Sequence, residues 1–438
     1  MPIAVTSDQV AALAPDAASL KASRSLATPR PWSDLGRDER AIWGACQGSA
    51  KDPYRTQIDW QGPAFKCSCP SRKFPCKHGL GLLLLLAEQP AKFTGNEPPD
   101  WVTAWLESRT QRAETKAAKE SAPVDEEARA KRVEQRGSRI SQGIDELELW
   151  LRDLVQQGVA SAPRQPFEFW DRPAARLVDA QAPGAARRVR ELAGIAASGD
   201  GWQSRMLEAV AQLTLLLHSW RRCESLTPAT QADVRTAIGI SLAHDEVLAS
   251  EPVQDLWVVA GQRTYQEERI RVQRSWLLGS ITNRTALILD FAPGTAGFKH
   301  NLLAGTVIDA EVCFFPGATP LRALIKAVHG GANAPPRVPC VRSIADAFAD
   351  FGTRTASNPF IEIHPAHLGS VVPIPAAPSW LIADQSGNAL PARPDFSLLA
   401  VSGGRPIDVF GEWDGHSFLP LMASANGRLT PFAQVSVT

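Results

Sequence analysis

Apolar positions along the chain follow two different periods. Between residue 140 and about residue 250 they return at helical spacing, as in Ile144, Leu147, Leu151, Leu154 and Val155, and again in Met206, Leu207, Val210, Leu213, Leu217 and Trp220. Breaks at Pro163, Pro166, Pro173, Pro183-Gly184, Gly199-Asp200-Gly201 and Thr227-Pro228 cut this region into four or five helices. Thr227 reads as an N-cap with proline at the first helical position. Beyond Pro252 the pattern shortens to strands at 256–260, 269–273, 285–291 and 306–315. Gln385-Ser386-Gly387-Asn388, Gly403-Gly404 and Asp414-Gly415 read as hairpin turns. Helices are expected at 321–329 and 343–351, and Pro-rich loops at 335–339 and 373–378.

The first hundred residues are patterned by tryptophan. Trp32, Trp43, Trp60, Trp101 and Trp105 supply a small core with large buried areas. From 107 to 139 there are nine basic and seven acidic residues and no Trp, Phe, Leu or Ile, with Pro123 interrupting any single helix. That segment reads as a solvated helix or tether. The chain is therefore expected to be an α+β multidomain protein: an N-terminal module over 1–106, a charged linker over 107–139, a helical domain over 140–250 and a mostly β domain over 251–438.

Composition narrows the class. The 438 residues are 44% hydrophobic and 21% charged, which are globular values. Lys plus Arg and Asp plus Glu are each 46, so bulk charge gives no argument for nucleic-acid binding and any such site must be local. The excess of Arg (35) over Lys (11) fits a GC-rich coding sequence better than a binding function. No run reaches the ~18 apolar residues of a membrane span, the densest being 80–87 with Gly81 inside it. No membrane partner is expected, and residues 1–23 carry no secretory pattern. Three of the seven cysteines fall between 67 and 76, which points to a metal site in a reducing compartment, the cytoplasm, rather than to disulfides.

The chemistry lies in the stretch Phe65-Lys66-Cys67-Ser68-Cys69-Pro70-Ser71-Arg72-Lys73-Phe74-Pro75-Cys76-Lys77-His78-Gly79. Its pattern is C-x-C, six residues, C-x-H. In extended backbone alternate side chains share a face, so Cys67 pairs with Cys69 and Cys76 with His78. Three thiolates and an imidazole form a soft tetrahedral set for one Zn²⁺, and with no position left for water the zinc is structural. Ile58, Trp60 and Phe65 flank a Gln61-Gly62-Pro63 turn, and an 80–88 helix follows, so a ββα unit is expected.

This spacing, the intervening aromatic and prolines and the following helix resemble the SWIM zinc finger. The resemblance covers a few dozen of 438 residues and implies that Cys67, Cys69, Cys76 and His78 are the ligands. The wider layout resembles bacterial SWIM-containing proteins of unassigned activity. The resemblance implies DNA binding or protein binding as expectations, and, as for bacterial members, work beside a MoxR-type AAA ATPase.

Between Trp60 and Ala87 the charged side chains are Lys66, Arg72, Lys73 and Lys77, with no acid. With the metal and three thiolates the module carries about +3. Lys66, Arg72, Lys73, Phe74 and Lys77 are thus candidate contacts, either to DNA or RNA, with Trp60, Phe65 and Phe74 stacking bases, or to a protein partner. A protein-interaction adaptor is the leading expectation and nucleic-acid binding the alternative. An enzyme is not expected. Residues 292–299 lack the G-K-[ST] ending of a phosphate loop, and no G-x-S-x-G, H-E-x-x-H or Walker A occurs. His364 and His367 are read as surface histidines, His218 as a core residue, Cys313 as buried and inert, and Glu267-Glu268 as exposed.

Overall fold

The computed structural model describes residues 6–432 except 16, 49–50, 61–63, 72, 96, 121–125, 268–269, 294–297, 301, 333–340, 377–379 and 426–427. Arg72, the Gln61-Gly62-Pro63 turn, Pro123, Glu268 and the 335–339 loop lie outside the described residues.

The N-terminal region starts with α1 (Ser7–Ala12) and α2 (Ala17–Arg24). An antiparallel sheet follows in chain order, β1 (Trp32–Arg37), β2 (Ala41–Cys46), β3 (Tyr54–Asp59) and β4 (Ala64–Cys67), and then α3 (Lys77–Glu88). The expected ββα unit is the last part of a larger ββββα arrangement, because the tryptophan segments form strands of their own. Every position from His78 to Leu86 in α3 is buried. A helix apolar on all sides needs cover on all sides. The sheet, α1 and α2 supply it, and Leu303 from far along the chain joins the same core. Gly81 has a packing reason: a Cβ there would lie 2.7 Å from Leu26 Cβ, so glycine lets the α2 end press against α3.

The charged 107–139 segment is traversed by two helices, α4 (Asp100–Glu120) and α5 (Glu126–Gln156). α5 packs with α6 (Phe167–Asp179), α7 (Pro183–Ala196), α8 (Trp202–Arg221) and α9 (Pro228–Ile238) around a core that includes Ile144, Trp170, Val189, Leu213 and Leu217. Pro173 lies inside α6 and does not end it. Trp170, Ala174 and Leu177 bury one face at helical spacing, and that burial outweighs the ~3 kcal/mol an interior proline costs. His218 is exposed, not core: it faces away from Leu216 and Leu217 and lies 3.8 Å from Glu148. Burial and exposure alternate so closely in α8 that flanking leucines do not identify a residue's face.

After α10 (His244–Leu248), five strands close a barrel: β5 (Val253–Glu267), β6 (Ile270–Gly279), β7 (Thr285–Pro293), β8 (Val307–Phe314) and β9 (Arg322–Ala332), in the order β5-β6-β7-β9-β8. The helix expected at 321–329 is strand β9. Leu321, Leu324, Ile325 and Val328 mimic helical spacing, but pairing with β8 from Val307 to Phe314, and a short parallel contact with β7, closes the barrel. Next come α11 (Ile344–Ser357), β10 (His364–Ile374), β11 (Trp380–Ala383), β12 (Ala389–Ala392), α12 (Phe396–Ser402), β13 (Ile407–Trp413), β14 (Phe418–Ala425) and β15 (Arg428–Pro431). These strands form one sheet, β12-β11-β10-β13-β14-β15. Gly403-Gly404 is not a hairpin turn: Gly403, at φ 55°, caps α12, where a left-handed residue favours glycine. Phe410, Leu421 and Met422 of the sheet pack against Val258, Trp276 and Leu278 of the barrel. His364 and His367 are buried in β10, not on the surface. Pro365 is compatible with a strand, and strand pairing with β13 carries both rings into the core. Cys313 is fully buried, with its thiol near the Leu248 and Ser250 carbonyls. Among the described residues no helix is long and apolar enough to cross a membrane.

Candidate metal centre

β3 and β4 pair with Thr56 opposite Cys67, Gln57 opposite Lys66 and Ile58 opposite Phe65. Ile58 is fully buried and anchors the hairpin to the core. Ser68 extends the pairing, its N–H donating to the Arg55 carbonyl at 3.0 Å and its hydroxyl accepting from Arg55 N–H at 3.0 Å. Cys67 thus leaves the sheet on a fixed path, and Cys69 follows two residues later.

The second ligand pair sits at the start of α3. Cys76 is the N-cap, in extended conformation at φ −75° and ψ 165°, and makes no side-chain cap. His78 lies in the first helical turn. The C-x-H pair therefore straddles a helix start and is not wholly extended.

One donor atom from each of Cys67, Cys69, Cys76 and His78 lies within 4.8 Å of all the others. His78 Nδ1 is 3.7 Å from Cys67 Sγ and 4.0 Å from Cys76 Sγ. A tetrahedral zinc with sulfur at 2.3 Å and nitrogen at about 2.0 Å has edges of roughly 3.5 to 3.8 Å, so the donors fit one ion with small adjustment. Proton sharing in the cluster points the same way. Hydrogen bonds from Cys67 and Cys76 hold Cys69 far below the ordinary thiol range, while bonds with Cys69 and Cys76, and then burial, push Cys67 far above it. Burial lowers the His78 pKa, but the Cys69 and Cys76 sulfurs outweigh it and raise it to about 9. The cluster concentrates negative charge that a divalent cation satisfies at all four corners at once.

Three neighbours carried no sequence signal. Thr56 Oγ1 lies 3.2 Å from Cys67 Sγ, and the Tyr54 ring lies 5.0 Å from the His78 ring. Cys46, buried in β2, stays outside the ligand set, its thiol pushed up to about 11 by burial. Only the β2–β3 and β3–β4 register brings these residues beside the cluster. Around it Lys66, Lys73 and Lys77 are exposed, and so is Arg55. Phe74 and Phe65 meet edge to face at 5.9 Å, and Phe65 and Trp60 pack against the module's core.

The SWIM zinc finger family model matches residues 66–87, from the end of β4 through most of α3. The SWIM-associated four-helix bundle domain matches residues 135–238, from within α5 to the end of α9. No curated protein and no solved structure matches the chain. With both family matches in chain order, and three cysteines and a histidine gathered at one point for a single structural Zn²⁺, the chain is a SWIM zinc finger domain-containing protein.

Proposed function

We propose that this protein is a protein-interaction adaptor in which zinc fixes the fold of a basic docking module and does no chemistry. The observation that carries this reading is how the module's rings are used. Trp60 and Phe65 pack against the core and Phe74 is turned onto Phe65, while Lys66, Lys73, Lys77 and Arg55 stay exposed. A surface of exposed cations whose rings are occupied elsewhere suits an acidic protein face better than single-stranded nucleic acid, which needs free rings for stacking. The family resemblance makes a MoxR-type AAA ATPase the first partner to try. The same cations favour a second reading, phosphate contacts to DNA or RNA.

One pair of experiments separates the two. Nuclease-treated lysate passed over the zinc-loaded protein should yield a stoichiometric protein partner that a Lys66→Glu/Lys73→Glu/Lys77→Glu variant does not retain. Fluorescence anisotropy with labelled single- and double-stranded DNA and RNA should show no zinc-dependent binding at physiological salt. Zinc-dependent binding that falls steeply between low and physiological salt would replace the adaptor reading with the nucleic-acid one.

A further inference from the structure

Where the helical bundle meets the barrel and the segment leading into β10, there is a cleft of about 350 Å³. Arg187 and Arg188 of α7, Arg274 of β6 and Arg322 of β9 line it, together with Asp233 of α9 and Glu362. Its walls include Leu287, Phe315, Leu321 and Phe360. A volume of this size with mostly apolar walls and a few convergent charges, at a junction of structural units, is the usual form of a small-molecule site.

The arginines are not equally satisfied. Arg187 is paired with Glu191 and, at 2.6 Å, with Glu362. Arg274 Nε lies 3.1 Å from Glu412 Oε1, an ion pair that gives its charge a counter-charge without hydrogen-bond geometry. Arg188, only 9% exposed, reaches Glu362 at 2.8 Å and the Phe360 carbonyl at 3.2 Å through Nη2, but its Nε has no partner among the described residues. Arg322 has no carboxylate within ion-pair distance among the described residues, and its guanidinium lies 4.4 Å from the Phe315 ring centre. Burial alone, with no acid to offset it, pulls the Arg322 pKa below its ordinary value. A guanidinium taken partly out of water and stacked on a ring, with no counter-charge, is destabilising unless an anion arrives.

We propose that this cleft binds a small phosphate monoester with an apolar body, its anion held by Arg322 with Arg188 Nε as a further donor and its body against the Phe315 and Leu321 walls. Arg322 offers a planar fork already oriented by Phe315, which suits phosphate geometry. The inference is independent of the zinc module.

The test is a calorimetric titration of the zinc-loaded full chain with phenyl phosphate, with phenol and inorganic phosphate as comparisons. Phenyl phosphate should bind saturably and about tenfold or more tighter than phenol, since one charge-assisted hydrogen bond is worth at least that factor, and about tenfold tighter than inorganic phosphate, since burying the ring on the apolar walls is worth as much. Arg322→Gln should weaken it by a similar factor. So should Thr319→Glu, which adds a negative charge to the lining and decides the matter if the arginine variant does not fold. Lys66→Glu/Lys77→Glu, far along the chain in the zinc module, should leave it unchanged. Failure to saturate, equal binding of phenol, or wild-type affinity in Arg322→Gln or Thr319→Glu would overturn the site. Equal binding of inorganic phosphate would overturn the apolar body, and loss of binding in the lysine variant would move the anion to the zinc module.

Discussion

The hydroxyl of Thr56 lies 3.2 Å from the sulfur of Cys67, directly across the β3–β4 ladder. Thr56 is itself buried, and its hydroxyl, which also lies 3.5 Å from the Tyr54 carbonyl, is placed to donate to the sulfur once metal binding makes it a thiolate. Partners of this kind orient a ligand and temper its charge, and their loss weakens metal binding by about 10- to 100-fold. Thr56→Val keeps the shape and removes the donor, so chelator competition should show zinc held less tightly by that factor, while Thr56→Ser should stay close to wild type. Equal affinities in all three proteins would leave Thr56 a packing role only.

Replacing Cys76 with Ser, or His78 with Gln, should release the zinc and unfold more than the finger. Both residues fix the start of α3, whose leucines share one core with Val10, Trp32 and Leu303. Without that anchor the core from α1 to α3 loses its central helix, so near-ultraviolet dichroism from the N-terminal tryptophans should collapse. The helical bundle has a separate core and should keep its protease resistance. One zinc per chain in both variants would contradict the ligand set.

The zinc site was legible in the sequence because its ligands are local: four residues within twelve positions carry the whole coordination set. What surrounds them was not, since Thr56, Tyr54 and Cys46 reach the cluster only through strand register. The same limit explains β9. Leu321, Leu324, Ile325 and Val328 satisfy a helical period, and only the need to close a barrel against β8 makes them a strand. Helices of the bundle were readable from their own apolar faces, because a helix satisfies its backbone internally whereas a strand depends on a partner elsewhere in the chain. The Arg322 cleft had no signature at all, being assembled from α7, α9, β6 and β9.

Asp59 should be a stability hot spot of the N-terminal module. Its carboxylate is almost wholly buried and lies 3.0 Å from Arg109 Nε and 3.8 Å from Arg40 Nε. Arg109 belongs to α4 and also lies 5.5 Å from the Trp105 ring centre, so the pair fastens that helix to the sheet. Arg109→Met takes the nearer guanidinium away from a buried carboxylate and should cost about 2 kcal/mol, the worth of a hydrogen bond to a charged group. Asp59→Asn should cost less, because both arginines are about one third exposed and recover water. The order of urea midpoints, Arg109→Met below Asp59→Asn below wild type, checks this; a reversed order would mean that arginine desolvation dominates.

His364 should make the six-stranded sheet sensitive to mild acid. It is 4% exposed, its ring lies 4.2 Å from that of Phe351, and its Nδ1 has no hydrogen-bond partner among the described residues. Burial, with Arg354 adding to it, lowers its pKa from 6.5 to about 4, against a smaller upward pull from the Ile361 backbone and Asp350. The fold therefore holds the ring neutral in a range where the unfolded chain binds a proton. Stability from this residue is complete above about pH 6.5 and drains away as pH falls towards 4, by up to about 1.4 kcal/mol per pH unit. His364→Phe fills the same space against Phe351 with a ring that cannot take a proton. Denaturation midpoints between pH 7 and pH 4, followed through Trp413 and Trp380 fluorescence, should fall steeply for wild type and less steeply for the variant. Parallel slopes would assign the acid sensitivity to carboxylates elsewhere in the sheet and leave His364 as packing alone.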